Sequence, residues 1–366
     1  MRRLLRRFKA TKLGRFVEHH WLTLAFVFGF LNDFLLLNQV DNLFDNLILL
    51  FYVVLAIISI VLFYTAVAGK LSDKWNEKML TYASIAIQYS FGGILSGMLI
   101  FYGRSASFGD GWPYLLLIAV IIYLNERVTK KSGRLVLMLS IFFPALFSYM
   151  VLVVPVLLGE MGDLIFIGSG LLALLIIGVL VFILKLIIPN FMALQMRMIV
   201  FSIGCIYAGM NFLYFFNIIP PIPLSLNDVG IYHSVIRFEN GQYQLKYEAG
   251  KWWQFWKRSD DVFHPSIGDN AYCFANVFAP TRLSTEIYHH WEYYDTTLNK
   301  WMTHARIPYP IHGGRQDGYR GYTQIGSYRE GKWRCSVETE RGQVLGREVF
   351  QIDDSLKTSE LVTRVD

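Results

Sequence analysis

Hydrophobic and polar positions alternate in two different ways along this chain. Through the first 220 or so residues they form long unbroken apolar runs, and beyond that point they follow a period of two. The runs cover approximately 21–37, 47–69, 82–102, 112–124, 135–157, 164–188 and 198–219, which predicts an α-helical transmembrane bundle of about seven spans. The fourth run is the shortest and needs Gly111 and Asn125 near the interfaces to cross. Pro220 and Pro221 are expected to end the last helix, because neither supplies an N–H and each biases its predecessor away from helical geometry. The segment NIIPPIPLSLND then reads as a short, stiff spacer.

After the spacer, VGIYHSVIRF and GQYQLKYE flank Glu239, Asn240 and Gly241, a hairpin signal because Asn-Gly readily takes positive φ. NAYCFANVF, TEIYHHWEYY, KWMTHARI, YRGYTQIGS, GKWRCSVET and QVLGREVF follow, separated by turn residues. About eight short strands of this kind predict an all-β, immunoglobulin-like sandwich. The expected organisation is a polytopic membrane domain over 1–223 and an exported β-sandwich domain over 224–366.

Composition agrees with that division. Of 366 residues, 54% are hydrophobic and 17% charged, too apolar for one soluble domain of ordinary make-up. The formal charge of +6 is concentrated at the N-terminus and in short linkers, where it sets topology, and no basic stripe suited to nucleic acid is present. With the N-terminus inside, its seven Lys and Arg, those of the linkers KLSDKWNEK, ERVTKKSGR and PNFMALQMR, and Lys185 come to sixteen inside against Arg104 alone outside. The first run has neither the short apolar core nor the small-residue cleavage site of a secretory signal, so it reads as a retained anchor. An odd number of spans puts the chain after Pro223 on the non-cytoplasmic side.

Four stretches, GFLNDFLLLNQVDNLFDN, FYGRSAS, HHW and GKWRCSVETERGQVLGREVF, resemble in their order and spacing a family of bacterial membrane proteins, the domain of unknown function 2914. The resemblance spans most of the chain. It implies a multi-helix part in the bacterial inner membrane and a C-terminal β module, and it brings no activity, substrate, cofactor or catalytic residue. Cys335 departs from the apolar β residue expected there.

Candidate chemistry is sparse. Asn32 and Asp33 interrupt the first run, and an intramembrane carboxylate costs on the order of 3 kcal/mol to insert. Asp33 either pairs with Arg104 near the outer interface or carries a proton or ligand. Alternation in GKWRCSVET puts Trp333, Cys335 and Val337 on one face, and a bridge from Cys335 to Cys273 would match an intersheet disulfide beside a buried Trp; free thiols are the alternative. The same alternation places His290, Glu292, His304, Arg306, Arg320, Tyr322, Arg334 and Glu338 on an exposed face, opposite Trp291, Trp301 and Trp333. This face is either a solvated ladder of charge pairs or a surface for anionic or sugar groups.

Gly313, Gly314, Gly318 and Gly321 around Arg315, Asp317 and Arg320 describe a sharply turning loop, shaped either for turn geometry or for cradling an anion. Trp252, Trp253 and Trp256 in KWWQFWKR are suited either to the membrane interface or to a core hairpin. His289 and His290 must point to opposite sides of a strand, and no CxxC or HxxxH spacing occurs, so neither metal nor cofactor is expected.

The function expected from these residues is that of a non-enzymatic inner-membrane protein. It would present a periplasmic β-sandwich to an envelope glycan, an anionic lipid or a protein partner, with Arg315, Asp317, Arg320, Tyr322 and Arg334 as the contact residues. The alternative is a membrane enzyme or small-molecule transporter acting at the helix bundle near Asp33 and Arg104.

Overall fold

In a computed structural model of the protein, the described residues are 33–35, 37, 42–105, 111–128, 135–250, 253–254, 257–266, 268–281, 283–314, 318–354 and 360–366. They form two compact units. One is helical and runs through Phe216; the other is β-rich, running from Asn217 to Asp366 and also taking in Arg104–Trp112 and Pro155–Met161.

The helical unit contains α1 (Leu43–Val67), α2 (Asp73–Ser105), α3 (Trp112–Val128), α4 (Leu135–Leu158), α5 (Asp163–Ile187) and α6 (Pro189–Phe215). Among the described residues, α1, α2, α4, α5 and α6 are long and apolar enough to cross a membrane, whereas the apolar stretch of α3, Trp112–Tyr123, is shorter. Most of the first apolar run lies outside the described residues. Asn42 caps α1 by accepting the Phe44 N–H at 2.9 Å. In α5, Asp163 in the first turn and Lys185 in the last both complement the helix dipole.

Two expected boundaries move. PNFMALQMR is not a linker but the start of α6, with Pro189 in the first turn, where its missing N–H costs nothing. At the other end α6 stops at Phe215, ahead of Pro220; Asn217 at φ 57° makes the left-handed turn that asparagine tolerates.

Small residues let α2 approach α1 closely. A Cβ on Gly93 would lie 2.5 Å from the Tyr52 ring, and one on Gly97 would lie 2.6 Å from Leu49 Cδ2. A buried network of Tyr102, Tyr114 and Ser148 ties α2, α3 and α4, with the Tyr114 and Ser148 hydroxyls 2.8 Å apart and the Tyr102 hydroxyl donating to the Ser148 carbonyl at 3.2 Å.

The second unit contains β1 (Ser225–Tyr232), β2 (Ser234–Arg237), β3 (Tyr243–Glu248), β4 (Val262–Phe263), β5 (Ala271–Phe278), β6 (Ser284–Asp295), β7 (Lys300–His312), β8 (Tyr319–Ile325), β9 (Gly331–Thr339), β10 (Val344–Ile352) and β11 (Leu361–Val365). They form three sheets, ordered β1-β5-β8, β4-β10-β9-β6-β7 and β11-β3-β2. All pairings are antiparallel except the short one between β4 and β10.

The first two sheets share a core. Ile231, Ala271, Cys273 and Ile325 from one meet Phe263, Trp291, Trp333, Cys335, Phe350 and Ile352 from the other. Cys273 on β5 is disulfide-bonded to Cys335 on β9, 62 residues apart, so the link joins the two sheets beside Trp291 and Trp333. Gly241 at φ 83° turns the β2–β3 hairpin, as its Asn-Gly sequence predicts.

The stretch expected to be one strand, VGIYHSVIRF, is two. It bends at His233, leaving β1 in the first sheet and β2 in the third. Val235 and Leu245 of the third sheet then cover Tyr232 and Phe274, filling a separate small core. Alternation alone does not reveal the bend, because both halves keep their period.

Candidate functional site

The sheet β4-β10-β9-β6-β7 has one face in the core and a polar, aromatic face opposite. On the inner side His289 is fully buried; its Nδ1 lies 3.0 Å from Thr323 Oγ1 and its Nε2 3.2 Å from the Tyr309 hydroxyl. Burial pushes its imidazole down to about 3, so it is neutral. One ring nitrogen lies within 4.8 Å of both Cys273 Sγ and Cys335 Sγ, but sulfurs joined in a disulfide offer no thiolate to a metal.

On the outer side, His290 Nδ1 lies 3.0 Å from Glu338 Oε1 and its Nε2 2.8 Å from Thr303 Oγ1; the Glu338 contact draws its imidazole upward. Arg306 lies 4.1 Å above the Tyr288 ring and donates to the carbonyls of Thr339 and Glu340. Arg334 donates to both oxygens of Glu292, at 2.5 and 2.9 Å, and stacks 4.4 Å from the Trp301 ring. Tyr294 meets Trp301 edge-on at 5.3 Å. The result is a continuous ladder of rings and forked charge pairs across three strands.

One expected position on this face changes side. The register of β6 and β7 shifts between Trp291 and Glu292, which face Ala305 and Thr303, leaving His304 as the extra residue of a bulge. Trp301, expected on the core side, therefore lies with the outer ladder beside Arg334. His304 is exposed, as expected, with its ring edge-on to Trp333 at 5.2 Å.

The remaining predicted residues do not converge. Arg320 and Tyr322 are on β8 in a different sheet from Arg334. Arg320 donates from Nε to Asp366 at 2.7 Å, and Tyr322 packs with Tyr243 and Tyr272. Arg315 and Asp317 lie outside the described residues, as do Asn32, Trp252 and Trp256, while Trp253 is exposed.

Packing accounts for two of the loop glycines. A Cβ on Gly313 would stand 1.6 Å from the Pro280 carbonyl oxygen, and one on Gly321 would meet the Tyr309 ring at 2.7 Å. In the helical unit, Asp33 is buried and accepts hydrogen bonds from Ser96 Oγ at 2.5 Å and from the Tyr52 hydroxyl at 3.2 Å, with Arg104 at the exposed end of α2.

A second constellation in the β unit has no counterpart in any motif. His233 at the bend, Glu248 at the end of β3, and Asp260 and His264 on either side of β4 converge. His233 Nε2 lies 3.2 Å from Glu248 Oε1 and 3.7 Å from Asp260 Oδ2. His264 Nδ1 lies 2.9 Å from both Glu248 oxygens. Asp269 approaches His233 Nδ1 at 3.9 Å, and Asp353 approaches His264 Nε2 at 3.6 Å. Burial holds His233 below the usual imidazole range and pushes Asp260 up to about 8. The spacing from residue 233 to 353 conceals this group, and its only sequence signal is a polar residue within or just beside each of several apolar strand patterns.

Comparison with known proteins places the outer ladder in context. No curated protein matches the chain. Among solved structures, the chain is similar to Pseudomonas fluorescens alkylpurine DNA glycosylase AlkC bound to DNA containing an abasic site analog, at 12% identity over 81% of this chain and 78% of that one; the TM-score of 0.21 carries no argument about fold or function. Residues 284–352, which contain β6 through β10 and so the whole ladder, match the family described as "Protein of unknown function (DUF2914)".

Proposed function

We propose that the chain is a multi-pass protein of the bacterial inner membrane that presents its β unit, as an immunoglobulin-like sandwich, in the periplasm to a glycan or polar protein partner. The observation that carries this reading is the outer ladder of Tyr288, Tyr294, Trp301, His290, Arg306 and Arg334 on the sheet that holds the family match. Aromatic and Arg side chains dominate recognition surfaces because they combine apolar area with directional hydrogen bonds.

The state of the charges narrows the partner. Arg334 is matched by Glu292, and Arg306 lies 3.6 Å from Glu338. With Arg306 and Arg334 already paired, these two offer stacking and hydrogen bonding more than net positive charge, which favours a sugar or a polar peptide over an anionic lipid. The membrane reading rests on the five long apolar helices and on the excess of basic residues in the linkers assigned to the cytoplasm. The immunoglobulin-like reading rests on the intersheet disulfide beside Trp291 and Trp333.

The test is binding of the detergent-solubilised full chain to isolated peptidoglycan sacculi and to a panel of envelope proteins. The double variant Tyr288→Ala/Trp301→Ala is expected to lose at least ten-fold in affinity with an unchanged unfolding midpoint. Capture equal to that of the wild type would remove the ladder as the contact surface.

A second reading has its own observation. Asp33, held by Ser96 and Tyr52 inside the helical unit, suits a transporter or membrane enzyme working in the bundle. Asp33→Asn would then abolish flux in reconstituted vesicles without affecting insertion.

A further inference from the structure

The bulge between β6 and β7 decides which side chain of β7 faces His290. Continuing the pairing of Trp291 with Ala305 would set His304 across from Glu292; the extra residue sets Thr303 there instead, on the outer face. On the other side of β6, Glu338 of β9 pairs with Tyr288, the next outward residue along from His290. His290 therefore stands between a hydroxyl from one neighbouring strand and a carboxylate from the other. Its Nε2 lies 2.8 Å from Thr303 Oγ1, and its Nδ1 lies 3.0 Å from Glu338 Oε1. An ionised carboxylate only accepts, so Nδ1 carries the proton of the neutral ring and Nε2 is left to accept from the Thr303 hydroxyl. The second oxygen of Glu338 is ion-paired with Arg306 Nε at 3.6 Å.

A threonine hydroxyl is a weak nucleophile on its own. It is activated by a base within hydrogen-bond reach that a third group holds in one tautomer, and these three strands supply all three parts. Exposure follows the same order: Thr303 is open to solvent, His290 is partly covered and Glu338 is buried. We propose that Thr303, His290 and Glu338 act as nucleophile, general base and orienting carboxylate in the hydrolysis of a carboxylic ester. Glu292, directly across from Thr303, holds Arg334, so a guanidinium stands in the same cross-strand row as the nucleophile, where it can oppose the charge that develops on the ester oxygen. The rings of Trp301 and Tyr294 lie one pleat further along the same two strands, which suits an ester carried by a sugar. That choice of alcohol rests on the glycan reading of the ladder; the triad does not.

In the first step Thr303 Oγ1 adds to the ester carbonyl carbon as its proton passes to His290 Nε2. The bond from that carbon to the alcohol oxygen then breaks, and the alcohol leaves with the proton from Nε2, giving an acyl-threonine. Water adds to the acyl carbon, passing a proton to Nε2, and the bond to Oγ1 breaks as Nε2 returns that proton to Thr303. Ester and water become alcohol and acid, with no change of oxidation state.

The experiment uses the full chain in dodecyl maltoside, first with para-nitrophenyl acetate and then with a fluorophosphonate that captures an activated hydroxyl covalently. The expected result is turnover above that of buffer and detergent, and an adduct on Thr303 identified by peptide mass spectrometry. Thr303→Val and His290→Gln are each expected to lower kcat about a hundred-fold, while Thr303→Ser keeps about a tenth or more of the wild-type value. Glu338→Gln should lower kcat about ten-fold with KM unmoved, a split that a loss of packing alone would not produce. His304→Gln, which removes the exposed imidazole of the bulge, leaves turnover unchanged and so separates the triad from catalysis by any surface histidine. A wild-type chain with neither turnover nor adduct overturns the proposal, and so does wild-type turnover by Thr303→Val or an adduct on another residue. The position of the adduct in the wild type decides the question even if a variant misfolds. Release of acetate from O-acetylated peptidoglycan sacculi tests the sugar, and turnover of para-nitrophenyl acetate without that release overturns the sugar assignment. Sacculus capture can fail while para-nitrophenyl acetate is still turned over, so failure of the ladder reading and failure of the triad give different results.

Discussion

At the scale of single residues, the most consequential assignment is the neutrality of His289. Its ring is sealed between Thr323, Tyr309 and the disulfide, and burial holds its proton affinity near a pH of about 3. An unfolded chain binds that proton near pH 6.5, so between the two values the unfolded state carries more protons than the folded one. The contribution of His289 to stability is therefore complete above pH 6.5 and is lost as pH falls, at up to about 1.4 kcal/mol per pH unit. Glu348 acts in the opposite sense. Burial pushes it up to about 7, so its contribution is present at low pH and is lost as pH rises through that value. The two slopes oppose one another between pH 4.5 and 6.5, and the informative quantity is a difference. Unfolding midpoints of wild type and His289→Gln, measured at half-unit steps from pH 4.5 to 7.5, should converge as the pH is lowered. Parallel profiles would show that His289 takes up its proton in the folded state.

At the scale of elements, alternation places Cys335 on the inward side of β9 but leaves its bridge to Cys273 open against free thiols, and the structure has the bridge. Trp333, Cys335 and Val337 share one side of β9, and all three are buried. Closing a loop of 62 residues removes unfolded-state entropy worth about 4 kcal/mol in the chain-entropy model. Cys335→Ala, or reduction of the wild type, should lower stability by about that amount, read as a drop in the denaturant midpoint of the full chain monitored by Trp fluorescence. A midpoint unmoved by reductant would show that the link contributes nothing.

Strand identity, the Asn-Gly hairpin and the inward side of β9 were legible because each depends on local pattern. The break at His233, the β7 bulge at His304 and the two-residue strand β4 were not, because each is dictated by a partner distant in sequence. The same physics hid the His–carboxylate group, whose members become neighbours only after β1 and β2 separate into different sheets. Arg320 and Arg334 were legible as outward-facing residues, but their assignment to different sheets was not, and that is why they do not form one site.

At the scale of the whole molecule, the distribution of basic residues carries a prediction about orientation. The linkers rich in Lys and Arg all fall on one side of the expected topology, and Arg104 alone falls on the other. The finding that PNFMALQMR opens α6 shortens one of those linkers, with Lys185 in the last turn of α5 and Arg197 in the N-terminal third of α6, on either side of the α5–α6 junction. On the proposed membrane reading, if α3, whose apolar part is only Trp112–Tyr123, crosses with the five long apolar helices, and if the apolar run before Asn38 crosses as its sequence predicts, the count is seven. An odd count separates the basic N-terminus from the β unit. Alkaline phosphatase fused after Asp366 should then be active and green fluorescent protein at the same point dark, since each folds on one side of the inner membrane only. The opposite pair of signals would mean an even count, with α3 the first candidate to lie outside the bilayer. It would also place the Cys273–Cys335 link in a reducing compartment, where a disulfide does not ordinarily persist. Fusion topology and the redox state of that pair therefore have to agree, and a fluorescent C-terminus on a chain with an intact disulfide would contradict both assignments together.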